Sequence, residues 1–144
     1  MTAWCCFSFN TYSFAHLLIH SLPTYMKKTL VLGASDNPAR YAYKAVHSLK
    51  RHGHEVVPVG LRTGQVAGID IHTDRPTEPE VDTVTLYVGP QNQPAWYDYI
   101  LDLKPRRIIF NPGTENPELE RMAQERGIQT EEACTLVMLS IGNY

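Results

Sequence analysis

Residues 1–25 contain no charged side chain, although the chain of 144 residues has 13 Lys and Arg and 15 Asp and Glu. The segment does not fit a secretory signal, because no basic residue opens it and His16 and His20 interrupt its apolar stretch. It also lacks the run of about 18 apolar residues that a transmembrane helix needs. We therefore interpret Met26 as the natural start of the domain. The alternative is an N-terminal arm that packs on the domain or on a partner subunit.

The chain has only three cysteines, and their spacing matches no disulfide or metal-binding motif. Cys5 and Cys6 are adjacent and Cys134 is remote, so the chain has neither a disulfide framework nor a C-x-x-C motif. This usage favours the reducing cytoplasm. A net charge of −2 gives no basic footprint for nucleic acid. We expect one soluble cytoplasmic domain with no nucleic-acid or membrane partner.

Motifs of catalysis are also missing. The chain has no P-loop, nucleophile elbow or zinc motif. His52 and His54 flank a predicted helix end and are interpreted as structural residues rather than metal ligands. Cys134 has no identifiable base partner and is predicted to fill the core. We therefore nominate no catalytic residue and no metal ligand.

Short apolar runs alternate with amphipathic stretches from Thr29 onward. Strands are predicted at residues 29–32, 55–59, 83–88, 107–110 and 128–130, with a weaker candidate at 66–71. Helices are predicted after the first strand, around 96–103, at 117–126 and as a closing turn at 134–141. Such alternation predicts right-handed βαβ units, and hence a single α/β domain over residues 26–144 with a Rossmann-like, doubly wound parallel sheet. Pro58 cannot donate a backbone hydrogen bond, so the second strand is predicted either to lie at a sheet edge or to be ending at this residue.

Three predicted strands are followed by a polar residue and a proline: Asn37-Pro38, Gln93-Pro94 and Asn116-Pro117. This pairing predicts a helix whose first position is the proline and whose N-cap is the polar residue. Ligands of open parallel sheets bind beyond the carboxyl ends of the strands. Because helix N-termini favour anions, the pattern predicts an anionic ligand at that edge.

The first strand exit carries the most information. Gly33 permits a tight turn, while Ala34 and Ser35 are small enough to let the backbone approach a phosphate. Arg40 is predicted in the first helical turn, where a cation opposes the helix dipole unless it meets an anion. The alternative is that Arg40 faces water or pairs with Asp36.

The second strand exit has a basic residue where a site for NAD would have an acid. The stretch from Val59 to Arg62 contains no Asp or Glu to bind the ribose hydroxyls. Arg62 instead favours a ligand with an extra ribose phosphate, either the 2′-phosphate of NADP or the 3′-phosphate of coenzyme A. A solvated loop arginine is the alternative interpretation.

Four segments together carry a family resemblance: residues 31–38, 52–59, 86–90 and 108–115. They resemble the stand-alone CoA-binding domain family, which is similar to the N-terminal domain of the succinyl-CoA synthetase alpha subunit. The resemblance covers about residues 27–140 and implies coenzyme A or acyl-CoA as the ligand. The first loop is less glycine-rich than in that family, and Asn111-Pro112-Gly113 replaces a more apolar segment.

The resemblance also implies roles for individual residues. Gly33, Ala34, Ser35 and Asn37 would hold the pyrophosphate, and Arg62 stands where the synthetase has a lysine that accompanies coenzyme A. The path of adenine or pantetheine would be lined by Val88, Pro112, Gly113 and Thr114. The synthetase's catalytic phosphohistidine lies in a second domain, for which this chain has no room.

Three functions follow as hypotheses. The first is a non-catalytic CoA-binding or acyl-CoA-binding protein, acting alone, as a homodimer or with a protein partner. The second is a small NADP-dependent oxidoreductase or reductase subunit. The third is an interaction module that keeps a nucleotide-binding fold without a ligand.

The interpretation of residues 1–25 can be tested by truncation. A variant that begins at Met26 should melt at the same temperature as the full chain and bind ligand equally well, because the first strand follows directly. Thermal denaturation and ligand titration of both proteins measure this. An insoluble truncated protein would show that residues 1–25 are part of the folded structure.

Overall fold

The computed structural model describes residues 25–144, so the predictions for residues 1–24 lie outside the described residues. Its main sheet has five parallel strands, confirming the predicted α/β, doubly wound class. The strands of the main sheet are β1 (Lys28–Leu32), β2 (Glu55–Val59), β5 (Thr83–Leu86), β6 (Arg107–Phe110) and β7 (Gln129–Glu132). A separate pair is formed by β3 (Gln65–Val66) and β4 (Ile69–Asp70). The helices are α1 (Tyr41–Arg51), α2 (Tyr97–Asp102), α3 (Pro117–Glu125) and α4 (Thr135–Ser140), with short 3₁₀ turns at Pro90–Asn92 and Pro94–Trp96. The strand order in the main sheet is β2-β1-β5-β6-β7.

Helices cover both faces of this sheet. On one face, α2 and α3 pack Ile100 and Leu119 against the buried side chains of β1, β5 and β6. On the other face, α1 and α4 contribute Val46 and Leu139, which pack with Val31 of β1. The chain therefore winds in opposite directions from the centre, and the order reverses between β1 and β5. Within residues 25–144, no helix is long and apolar enough to cross a membrane.

The prediction for Pro58 is confirmed, because β2 forms one edge of the main sheet. The Pro58 carbonyl accepts a hydrogen bond from the His72 N–H at 2.9 Å. Neighbouring N–H and C=O groups of one residue in a parallel strand point to the same side, so the missing N–H of Pro58 faces away from β1. The proline thus sits where the ladder loses nothing.

The weak strand candidate at residues 66–71 is wrong as a single strand. β3 and β4 pair as an antiparallel hairpin of two residues each. Ala67 and Gly68 form the turn with φ of +52° and +76°. The left-handed backbone reverses the chain at this point, although an alanine in that conformation is uncommon and gives little sequence signal.

The three polar-proline pairs have three different outcomes. Asn116 caps α3 as predicted, its Oδ1 accepting from the Glu118 and Leu119 N–H groups. The prediction for Asn37 is wrong, since α1 begins only at Tyr41 and Arg40 occupies the N-cap position outside the first turn. Asn37 Oδ1 instead accepts from the Ala39 N–H at 2.9 Å, and this local turn competes with a helix start.

The prediction for Gln93 as a helix cap is also wrong. Pro94 opens a 3₁₀ turn, and the Gln93 side chain makes no cap hydrogen bond. The α2 helix follows at Tyr97, one residue later than the predicted helical stripe begins. Other differences are small: β5 ends at Leu86 rather than at Val88, and β7 starts one residue later and runs to Glu132.

A buried histidine lies at the amino edge of the sheet, away from the strand exits. His54 Nδ1 accepts the backbone N–H of Lys27 at 3.1 Å, and its ring packs at 4.8 Å from that of Tyr144. Burial, with the nearby Lys27 charge, lowers the pKa of His54 below its usual value. The structural interpretation of His54 agrees with these contacts.

Stability should therefore fall in mild acid. The neutral form of His54 is favoured in the fold, so its contribution is complete above the ordinary histidine pKa of about 6.5 and is lost as pH decreases below it. Urea unfolding between pH 7.5 and 5 should show this decrease. His54→Asn, whose amide oxygen can accept from Lys27, should flatten the profile, whereas His52→Asn at an exposed position should not. An unchanged slope in His54→Asn would contradict the assignment.

Candidate functional site

The exits of β1 and β2 are joined backbone to backbone. The N–H groups of Gly33 and Ala34 both donate to the Val59 carbonyl, at 2.8 and 2.9 Å. Gly60 lies directly against the Ala34 carbonyl, so closely that a Cβ at this position would overlap it. These contacts hold the loop after β1 in place at the edge of the sheet where the carboxyl ends of the strands meet, which we call the rim. They do not involve the exits of β5 and β6.

The exits of β1 and β5 are equally close. Gly33 has φ of +94°, and a Cβ there would lie 2.9 Å from the Tyr87 carbonyl carbon and oxygen and 3.0 Å from Val88 Cγ2. Cβ atoms in proteins essentially never lie this close to backbone atoms, so only glycine fits at position 33. This junction lies where the winding reverses, which is the place where open parallel sheets bind ligands.

The loop after β1 presents polar groups to the rim. Ser35 Oγ accepts from the Asn37 N–H at 3.1 Å, which leaves the hydroxyl hydrogen free to donate. Among residues 25–144, the backbone N–H groups of Ser35 and Asp36 have no hydrogen-bond acceptor. Two adjacent free N–H groups beside a serine hydroxyl form a donor set suited to an anion.

The N-terminus of α1 follows this loop and has no cap from a side chain. Its first turn contains no acidic residue, and the exposed cations Arg40 and Lys44 stand beside it. The N-terminus of α3 is the opposite case, since Asn116 caps it and Glu118 and Glu120 lie in its first turn. Only α1 of these two helices therefore keeps its positive dipole end uncompensated by the protein.

The exit of β6 is fastened inward by Asn111. Its Nδ2 donates to Thr85 Oγ1 at 2.7 Å and to the Leu86 carbonyl at 2.9 Å, while its Oδ1 accepts from the Thr135 N–H. Thr114 donates its hydroxyl to the Asn111 carbonyl at 2.8 Å and is buried. Thr114 therefore shapes the rim with its backbone rather than with its hydroxyl.

Gln93 connects the exits of β5 and β6. Its Nε2 donates to the carbonyls of Val88 and Thr114, at 2.9 and 2.7 Å. Its Oε1 accepts from Asn116 Nδ2 at 2.9 Å. Both polar atoms of the Gln93 side chain therefore bond within the protein, to the backbone of these two exits and to the residue that caps α3.

Charge is divided along the rim. Arg40, Lys44 and Arg62 are exposed on the side of β1 and β2, and none of them forms an ion pair within residues 25–144. The predicted alternative of an Arg40–Asp36 pair is thus not observed. On the side of β6 and β7, burial and the neighbouring Glu132 carboxylate raise the pKa of Glu120.

At the exit of β6, the Glu115 carboxylate accepts the exposed Gly113 N–H at 2.8 Å. This places a further negative charge on the side of β6 and β7, so the described rim runs from basic to acidic.

The predicted residues come together at one rim but differ in what they expose. Ser35 is half-buried, whereas Asn37, Arg40 and Arg62 are exposed. Val88 is half-buried against Gly33, and Pro112 and Gly113 are exposed at the next exit.

Sequence reasoning missed the role of two residues at this rim. Gln93 was predicted to cap a helix, and Asn111 was noted only as a departure from an apolar segment. A polar residue directly after a strand was the available signal for Asn111. Cys134, predicted to fill the core, is half-buried just before α4.

A family model described as a CoA binding domain matches residues 27–140. The chain belongs to the CoA-binding domain family. The match spans all five strands of the main sheet and the residues that follow each of them, so the rim described above lies wholly within it. No curated protein matches the chain significantly.

Several solved structures share the fold of this chain. A crystallised protein described as uncharacterized is 58% identical with a TM-score of 0.81, covering 83% of this chain and 98% of its own. A protein from Thermus thermophilus is 25% identical with a TM-score of 0.73, covering 83% of this chain and 91% of its own. A hypothetical protein from Pyrococcus horikoshii, at 22% identity and a TM-score of 0.74, covers 98% of both chains and shows the fold alone.

The junction at Gly33 can be tested against a matched glycine. Gly127→Ala introduces a Cβ at φ of +75° with no atom within 4 Å, so it should cost only the left-handed conformation, roughly 1–2 kcal/mol. Gly33→Ala adds overlap with Tyr87 and Val88 and should cost about 1–3 kcal/mol more. Urea unfolding measures both. Equal losses would show that the exits of β1 and β5 can separate freely.

Proposed function

We propose that this domain binds coenzyme A or an acyl-CoA at the rim formed by the exits of β1, β2, β5 and β6, without transforming it. The observation that carries this is the uncompensated N-terminus of α1 beside the free N–H groups of Ser35 and Asp36. Membership in the CoA-binding domain family supports the identity of the ligand. The residues present thus fit a nucleotide pyrophosphate.

The pyrophosphate is assigned to the loop from Gly33 to Asn37. The first turn of α1 offers N–H donors and a positive dipole end, and Arg40 lies at its start. Ser35 can donate its hydroxyl hydrogen, because its oxygen already accepts from the Asn37 N–H. An anion bound here would remove the unfavourable interaction between the Arg40 cation and the helix dipole.

The 3′-phosphate of the ribose is assigned to Arg62, which follows β2 at the same rim. Arg62 is exposed and forms no ion pair in the described part of the chain. A guanidinium group binds phosphate by two parallel hydrogen bonds, which suits a terminal monoester. The adenosine end therefore lies on the basic side of the rim.

The pantetheine arm is assigned to the exits of β5 and β6, past Val88 and the Pro112–Thr114 turn. Thr114 and Asn111 direct their side-chain polar atoms into the protein there, which leaves Val88, Pro112 and the exposed backbone of Gly113 for the arm, with the Glu115 carboxylate beside them. Because the buried side chains of Gln93, Asn111 and Thr114 are committed to structural hydrogen bonds, we propose binding rather than catalysis. Presentation of the ligand to a partner protein, or sensing of its concentration, fits such a role.

Binding should depend on the 3′-phosphate through Arg62. Arg62→Glu should weaken coenzyme A about tenfold, the effect of ~1.4 kcal/mol, and should change the affinity for dephospho-coenzyme A much less. Arg51→Glu serves as the matched control, because Arg51 is an exposed arginine at the C-terminal end of α1, away from the rim. Isothermal titration with both ligands measures the difference.

Ser35→Trp should abolish binding of both ligands, because the indole fills the approach to the pyrophosphate loop. Thermal melts with coenzyme A, acetyl-CoA, NADPH and NADH complete the test, since a ligand held only by the folded state raises the melting temperature. Stabilisation by NADPH alone would favour the oxidoreductase hypothesis. No stabilisation by any of the four would favour the interaction module.

A further inference from the structure

Gln93 has no contact with solvent, yet it lies immediately below the proposed ligand surface. Its amide nitrogen donates to the carbonyl of Val88 at the β5 exit and to the carbonyl of Thr114 at the β6 exit, and its oxygen accepts from the Asn116 side chain. A neutral side chain that satisfies two backbone carbonyls and one amide donor fixes three segments at once. No backbone hydrogen bond of the kind found within the sheet joins the segment around Val88 to the Thr114 segment.

The β1 exit is held differently. Gly33 and Ala34 donate to the Val59 carbonyl, so the pyrophosphate loop is anchored on β2. A change at Gln93 therefore acts first on the half of the rim assigned to pantetheine and leaves the anchor of the phosphate half in place. This separation makes the two halves experimentally distinguishable.

We propose that Gln93 is a positioning residue that sets the spacing of the β5 and β6 exits and thereby determines the affinity for the pantetheine arm. The inference rests on the proposed function. Gln93 touches no ligand in this scheme and acts through the carbonyls of Val88 and Thr114. Its effect should appear only for ligands that extend across both exits.

The decisive comparison uses coenzyme A and adenosine 3′,5′-bisphosphate, which lacks the pantetheine arm. Gln93→Met keeps the length and approximate volume of the side chain and removes all three hydrogen bonds. It should weaken coenzyme A about tenfold and leave the bisphosphate within about twofold. Isothermal titration of the full chain with each probe provides both constants.

Gln93→Glu adds a readout that loss of stability alone would not produce. An ionised carboxylate would face the carbonyls of Val88 and Thr114 without a proton to donate, whereas a protonated carboxyl could donate to one of them. The affinity for coenzyme A, relative to the wild type at the same pH, should recover between pH 8 and pH 5. Gln93→Met should show no such recovery.

Ile100→Val is the matched control, because Ile100 is fully buried in α2 and lies in the core without polar contacts to the rim. It should lower stability without changing the ratio of the two affinities. Should the Gln93 variants fail to melt cooperatively, Asn116→Ser replaces them, since serine also caps a helix but cannot donate in the same way to Gln93. The same selective loss of coenzyme A affinity is expected.

The outcomes separate the two proposals. A wild type that binds neither probe overturns both the proposed function and the positioning role. A wild type that binds coenzyme A, with variants that lose both probes equally or neither, overturns the positioning role alone. Selective loss of coenzyme A, with pH-dependent recovery in Gln93→Glu, supports it.

Discussion

The parallel pairing of β1 with both β2 and β5 is the constraint on which the rest of the structure depends. Leu30, Val31 and Leu32 have no exposed surface, so this strand needs partners on both edges and cover on both faces. Parallel partners require crossover connections, and here the helices α1, α2 and α3 lie in those between β1 and β2, β5 and β6, and β6 and β7, while the β3–β4 hairpin lies between β2 and β5. With α4, these helices cover the two faces of the sheet. All carboxyl ends of the strands then meet at one rim, which is why residues remote in sequence form a single surface.

The sequence predicted this framework because apolar runs bounded by glycine are a strong signal for buried strands. The exits of β1, β2, β5 and β6 were predicted at one rim for the same reason. The polar-proline pairs were less informative, because one dipeptide pattern can satisfy its side chain in several ways. Asn116 caps a helix, Asn37 closes its own local turn, and Gln93 bonds to backbone that only the folded chain brings near. Such choices depend on tertiary contacts that no local pattern contains.

The two ends of the rim differ in how the protein treats its own helix termini. α3 receives an internal cap and acidic neighbours, so its dipole is satisfied within the chain. α1 receives neither, although it is the longest described helix. Leaving one N-terminus open costs stability in the free protein, and an anion of the proposed kind would offset this cost if it bound there. The gradient from basic to acidic along the rim would also give the proposed elongated ligand one preferred direction.

The two edges of the sheet have a consequence for how copies of this domain can meet. At the β2 edge, Pro58 lacks an N–H and His72 already occupies the outer side of the strand. At the β7 edge, Glu131 lies 3.5 Å from Arg107 Nη1, and the exposed Glu132 carries a charge that opposes a second strand of the same sequence. Continuation of the sheet from one molecule into another is therefore disfavoured at both ends. The sheet edges formed by the described residues therefore resist the strand addition from which aggregates grow.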